Sequence, residues 1–144
     1  MKKIIFLCTG NSCRSQMAEG FARSILSNEI SIIDSAGVKA EGVNPIAVKV
    51  MSEIGIDISR QESTEISSVD FNQFDLVVTV CDNAQRTCPI ILNKKIIHKN
   101  IYDPALAKGN INNQLEIYRS VRNQIECFVK EILKNYLSLC QEIN

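Results

Sequence analysis

The sequence lacks an excess of charge of either sign: 16 lysines and arginines are balanced by 16 aspartates and glutamates over 144 residues. A balanced chain has no global field to draw it to nucleic acid or a membrane surface, so any anion it holds must be caught by a local device. It also lacks a long apolar run. Met1-Lys2-Lys3 is followed only by Ile4-Ile5-Phe6-Leu7 before polar residues begin, too short for a signal peptide and far too short to span a bilayer. The expected address is the cytoplasm, with no membrane or nucleic-acid partner. No repeat, low-complexity stretch or linker interrupts the chain, so residues 1–144 read as one domain around one core, expected to act as a monomer. Histidine is nearly absent: His98 stands alone, near the end of a predicted strand, where a structural or solvent-facing role is expected.

What the chain does have is six cysteines. Cytoplasmic thiols stay reduced, which turns attention from structural disulfides to redox or metal roles. Free cysteine is also an ordinary small core residue, and Cys127 and Cys140, both in a C-terminal helical stretch, are expected to be that. Strand and helix patterns alternate along the sequence. Lys2–Leu7, Ile30–Ala36, Leu76–Val80 and Lys94–His98 read as strands. Ser15–Leu26 has helical spacing at Met17, Phe21, Ala22 and Ile25. Pro45 opens a helix with Ile46, Val50 and Ile54 on its apolar face, ended by Gly55. Residues 56–69 are polar and irregular, with room for a short helix after Asp57-Ile58-Ser59. Residues 113–139 form a long amphipathic helix. Strands separated by helices predict an α/β domain: a four-stranded, mainly parallel sheet with helices on both faces. Ligands in such sheets sit beyond the carboxyl ends of the strands, where this sequence places Cys8, Cys81 and Asp103.

The loop Cys8-Thr9-Gly10-Asn11-Ser12-Cys13-Arg14-Ser15 joins the first strand to the first helix. Its backbone N–H groups can curl around an anion, with Gly10 and Asn11 tolerating the positive φ that such a nest requires. The helix N-terminus behind it adds unpaired donors and partial positive charge. Arg14 supplies a planar cationic fork for a tetrahedral oxyanion. The oxyanion-binding set is therefore residues 9–14, and the same features stabilise a thiolate at Cys8, with Ser15 able to hydrogen-bond the sulfur. Cys-x5-Arg by itself is a weak pattern, and its place between a strand and an amphipathic helix gives it weight. A Walker-type nucleotide loop is excluded, because the Gly-Lys-Ser/Thr ending is missing.

This loop and its continuation Gln16-Met17-Ala18-Glu19-Gly20 resemble the signature of low-molecular-weight protein tyrosine phosphatases and of the arsenate reductases that share their fold. Ser35-Ala36-Gly37 and Asp103-Pro104 match in the same order, and the resemblance covers nearly the whole chain. Gln16, where the phosphatases usually carry proline, leans toward the reductases. So does Ala105, where phosphatases usually place an aromatic against phosphotyrosine. Cys81 and Cys88, in Cys81-Asp82-Asn83-Ala84-Gln85-Arg86-Thr87-Cys88-Pro89, resemble the redox segment of thioredoxin-coupled arsenate reductases. Hydrolysis transfers no electrons, whereas arsenate reduction takes two and needs a second thiol. In a helix these two cysteines would lie about 10 Å apart along the axis, whereas a disulfide needs Cα atoms within about 7 Å. A Cys81–Cys88 bond would therefore bend or unwind the segment.

The resemblance implies a relay. Cys8 attacks arsenate, held by residues 9–14 as phosphate or sulfate would be, and Asp103 protonates the departing oxygen. Cys81 then attacks Cys8, Cys88 attacks Cys81, and thioredoxin reduces the resulting disulfide; no cofactor is required. Asp103, extended ahead of Pro104, would act as a general acid favoured in its protonated form by the anion's charge. The alternatives are hydrolysis of aryl phosphates by Cys8, Arg14 and Asp103, unreactive core thiols at positions 81 and 88, and a zinc site, against which the Cys-x6-Cys spacing argues. Some related reductases bind potassium through positions matched by Asn11, Glu19 and Ser35. Thr64 replaces a carboxylate of that pattern, which argues against potassium here.

Overall fold

In the computed structural model the backbone is described for residues 2–26, 31–87 and 95–143, and side chains for residues 3–26, 32–84 and 95–136. Strand β1 (Lys2–Cys8) buries Ile4, Ile5, Phe6 and Leu7 alike. Neighbouring strand residues point to opposite faces, so burial of all four means that the sheet is covered on both sides. Helix α1 (Arg14–Ile25), strand β2 (Ser31–Gly37), helix α2 (Pro45–Ser52), strand β3 (Leu76–Thr79), helix α3 (Asp82–Thr87), strand β4 (Lys95–His98) and helix α4 (Ile111–Ile143) follow. The four strands pair in parallel in the order β2-β1-β3-β4, the α/β architecture expected. The chain turns to one side of β1 to make β2 and to the other side to make β3, so the gap between β1 and β3 is a topological switch point. Both the loop after β1 and the start of α3 leave from this gap.

Helix α1 packs on β1, β2 and α4, and α4 packs in turn on α2. Asn44 caps α2, its Oδ1 accepting from the N–H groups of Ile46 (2.8 Å) and Ala47 (3.3 Å), with Pro45 pre-set in the first turn. No described helix is long and apolar enough to cross a membrane.

Several sequence expectations need correction. Ile25 and Ile54, assigned to apolar helix faces, are both 41% exposed: the buried face of α1 ends at Ala22 and resumes at Leu26, and α2 stops at Ser52, short of Ile54. Residues 56–69 make a turn at Ser59–Arg60 where a helix was expected to begin, and their one short helix is the 3-10 helix Ile66–Ser68; a second, Phe71–Gln73, follows them. Cys127, expected in the core, is exposed. The buried stripe of α4 runs through Leu115, Tyr118, Val121, Ile125, Phe128, Val129, Ile132 and Leu133; two residues past Ile125 is about 200° around the helix, which turns Cys127 to the outer face. Cys88 and the Cys140 side chain lie outside the described residues.

Candidate active site

The carbonyl groups of the loop after β1 all point away from its centre, and each has a partner. Cys8 O accepts from Val38 N (3.1 Å), Thr9 O from Lys39 N (2.9 Å), Gly10 O from Glu41 N (2.9 Å) and Ser12 O from Asn44 N (3.0 Å). Asn11 O accepts from Gln16 Nε2 (3.1 Å) and Ser63 Oγ (2.9 Å). With the acceptors turned outward and satisfied, the loop presents N–H groups, which continue into the unpaired first N–H groups of α1. That is the electrostatic shape of an oxyanion cradle.

Gly37 permits it by its size. A Cβ on Gly37 would stand 2.5 Å from Asn11 N and 2.8 Å from Thr9 O, so only glycine lets β2 end this close to the loop. Gly10 and Asn11 were both expected to tolerate a positive φ, and among the loop residues Asn11 alone has one, at φ 46. A Cβ on Gly10 would meet the Glu41 carboxylate at 2.5 Å, a contact that the end of this exposed, flexible side chain can relieve by moving.

Cys8 closes β1 with its thiol buried, and its Sγ lies 2.7 Å from Ser15 Oγ. Asn11 Nδ2 donates to Ser15 Oγ at 2.8 Å and to Ser35 Oγ at 2.9 Å. Because Ser15 accepts from Asn11, its single hydroxyl proton is free for the Cys8 sulfur. The Asn11 amide is held in this sense by its own Oδ1, which accepts from Thr64 N at 2.8 Å. Arg14 is buried, donates from Nη1 to Ile101 O at 2.9 Å, and brings Nη2 to 3.6 Å from Asp103 Oδ2. Asp103 has the extended backbone expected before Pro104 and caps the short 3-10 helix Pro104–Leu106, accepting from Ala105 N at 3.0 Å. Without an oxyanion, the charge facing this carboxylate is the Arg14 cation, rather than the negative neighbour anticipated for a general acid.

Cys81 is brought to the same edge. Its buried Sγ lies 3.3 Å from Thr9 Oγ1 and accepts from Ala84 N at 3.3 Å, in the capping position of α3. Cys8, Thr9, Ser15, Arg14, Cys81 and Asp103 are thus gathered at the β1/β3 switch point. Cys13, the other loop thiol, points into the core toward Tyr118 Oη (3.8 Å) and Ser12 Oγ (4.0 Å), and burial pushes it up to about 11 from 9.0. Burial thus keeps Cys13 a thiol.

The three residues matched to a potassium site also meet, but their oxygens are already used. Ser35 Oγ donates to Glu19 Oε1 at 2.6 Å, Arg23 Nε donates to Glu19 Oε2 at 2.8 Å, and Asn11 offers Ser35 an N–H rather than an oxygen. A cation here would face the Arg23 guanidinium, and the set does not fit potassium. Burial raises the Glu19 carboxyl above its ordinary range, opposed by Ser35 and Arg23. Among the described residues no group of three His, Cys, Asp or Glu side chains could hold a metal ion.

The loop is braced from outside by residues whose pattern in the sequence is only polar. Gln61 Nε2 donates to Gln16 O and Oε1, both at 2.9 Å, Gln16 Nε2 donates to Glu62 O at 2.9 Å, and Gly37 N donates to Thr64 O at 2.8 Å. The polar stretch that looked structureless is the outer wall of the loop; the one signal for it was Gln16 itself, a buried polar residue that must find partners.

The chain matches the low molecular weight phosphotyrosine protein phosphatase family over residues 3–142. It is 50% identical over 125 residues to an arsenate reductase of Halalkalibacterium halodurans, covering 86% of this chain and 89% of the relative. It is 48% identical over 131 residues to an arsenate reductase of Bacillus subtilis, covering 90% and 94%. A solved structure of an arsenate reductase in the phosphate binding state superposes with a TM-score of 0.77 at 33% identity, covering 94% of this chain and 98% of that one. With the match running from β1 into the last turns of α4, the chain belongs to the low molecular weight phosphotyrosine protein phosphatase family.

Proposed function

We propose that the protein reduces arsenate to arsenite through a thiol relay. The observation that carries this reading is the buried Cys81 thiol seated against Thr9, beside the nucleophile. The arsenate reductase name of the similar proteins supports it, and hydrolysis would have no use for a second thiol there. Arsenate enters the cradle of N–H groups and takes the Arg14 fork. Cys8 thiolate displaces one oxygen, which leaves as water with a proton from Asp103, now freed from Arg14, and an arsenic–sulfur bond forms. Cys81 attacks the Cys8 sulfur; the electron pair of the arsenic–sulfur bond passes to arsenic, which departs as arsenite, and a Cys8–Cys81 disulfide remains. Cys88 then takes over the disulfide with Cys81, and thioredoxin returns both to thiols.

The test is arsenate-dependent NADPH oxidation in the presence of thioredoxin and thioredoxin reductase, run beside hydrolysis of an aryl phosphate. Turnover should require Cys8, Cys81 and Cys88, and a Cys88→Ser variant should stop after about one turnover as the Cys8–Cys81 disulfide. Brisk aryl phosphate hydrolysis with no arsenate turnover would establish the hydrolase instead.

A further inference from the structure

Helix α3 has six residues, too few to be stable by itself, yet the residue that caps it, Cys81, reaches the site. Its hold comes from the far side of the sheet edge. His98, the last residue of β4, places Nδ1 2.7 Å from Thr79 Oγ1 and Nε2 2.9 Å from Asp82 Oδ1. Thr79 is fully buried, so one end of the imidazole is anchored in the core while the other grips the residue directly after Cys81. Asn100 adds a second grip, its Oδ1 accepting from Asp82 N at 3.2 Å. Behind them, Lys99 N donates to Thr79 O and Ile101 N to Val80 O, both at 3.0 Å, continuing the β3–β4 pairing up to the residue whose carbonyl holds Arg14. One segment, residues 98–103, therefore braces the Cys81 turn, the Arg14 fork and the Asp103 carboxyl together.

We propose that Asp82, His98 and Asn100 form a latch that fixes the first turn of α3 and so holds the Cys81 thiol in reach of Cys8. Asp82 and His98 are then positioning residues for the attack of Cys81 on the Cys8 adduct. The latch rests on the relay reading, and the physical need for it is plain. Disulfide formation requires a narrow Cα–Cα separation, and a displacement of about 1 Å can cost on the order of 100-fold in rate. A turn that frays would let Cys81 drift from Thr9. The imidazole can serve in either charge state: when neutral, Nε2–H donates to Asp82 while Nδ1 accepts from Thr79, and when protonated both nitrogens donate.

The experiment isolates the Cys81 step without arsenate. In a full-length Cys88→Ser, Cys127→Ser, Cys140→Ser background, a single equivalent of dithiobis(nitrobenzoate) reacts first with Cys8. The Cys8 thiolate bonds to one half of the reagent and expels the other as a coloured thiolate. Cys81 then attacks the Cys8 sulfur and expels the second half, so two thiols are oxidised to one disulfide as one reagent molecule is reduced to two thiolates. Asp82→Ala and His98→Leu should each slow the second release about tenfold and leave the first unchanged. Asp82→Asn, which keeps an oxygen for the imidazole N–H, should restore the second rate to within about twofold of the parent. The latch is overturned if the alanine and leucine variants keep the parent's second rate, if both releases slow together, or if Asp82→Asn is as slow as Asp82→Ala. A second release that is missing from the background protein, or that survives Cys81→Ser, sinks the relay instead, so the two failures are distinguishable.

Discussion

Two thiols five residues apart in one loop are kept chemically different by where their side chains point. Cys8 faces the cradle and Ser15, whereas Cys13 is buried toward Tyr118 and pushed up to about 11. The folded state thus keeps the Cys13 proton between pH 9.0 and about 11 while the unfolded chain has lost it. Stability contributed by this group is complete below pH 9.0 and is lost as pH rises to about 11. The loss is on the order of 3 kcal/mol. Tyr118, raised by burial and by Cys13, adds to the same alkaline decline. Urea unfolding of wild type and Cys13→Ala at pH 8 and at about pH 10.5 should therefore show a smaller alkaline decline in the variant. A second residue-scale expectation concerns Gly37. Its alanine variant must push backbone at Asn11 or Thr9, and turnover should fall on the order of 100-fold. Gly42→Ala, at φ +86 with open space around the Cβ, should instead cost about 1 kcal/mol of stability and no activity, which separates a spatial need for glycine from a conformational one.

At the scale of elements, β1, the loop and α1 were legible because three independent signals agree there: an apolar run, an abrupt turn and a helical period. Residues 56–74 were not, because their order comes from bonds reaching Asn11, Gln16 and Gly37, 46 positions away in the case of Gln16 and Glu62, and periodicity carries no trace of such bonds. Cys127 was misplaced because cysteine was weighed as a hydrophobe without its angle on α4. Gly10 was read as tolerating a positive φ, which the loop uses at Asn11 instead. The seam between α2 and α4 was equally invisible in sequence. There Glu53, just past the end of α2, takes Arg119 Nη2 at 2.7 Å and Arg122 Nη1 at 3.0 Å, while Arg122 also donates to Val50 O at 2.8 Å. Hydrogen bonds from Arg119 hold the Glu53 carboxyl below its ordinary range. Its contribution is present above the unfolded value of 4.5 and lost as pH falls through the lower folded value. Glu53→Gln should flatten the acid side of a pH–stability profile, measured by thermal unfolding across that range. Glu19 acts in the opposite sense: raised by burial, it makes stability fall as pH rises from 4.5 through its folded value.

For the whole molecule, the cradle is assembled from distant parts: β1 and α1 give the loop, residues 38–44 and 61–64 turn its carbonyls outward, and residues 98–103 hold Arg14 and Asp103. An anion that binds only the assembled cradle must therefore stabilise all of these parts at once. At inorganic phosphate about 100 times its dissociation constant, the gain is about 2.7 kcal/mol, which for a domain of this size raises Tm by roughly 5–10 °C. Arg14→Lys keeps the charge but loses the fork and the bond to Ile101 O, and most of that rise should disappear. Cys8→Ser, which removes the thiol and leaves the N–H groups in place, should keep it. A phosphate-induced rise undiminished in Arg14→Lys would mean that the anion is held somewhere other than this loop, and calorimetry of the three proteins with and without phosphate decides the matter.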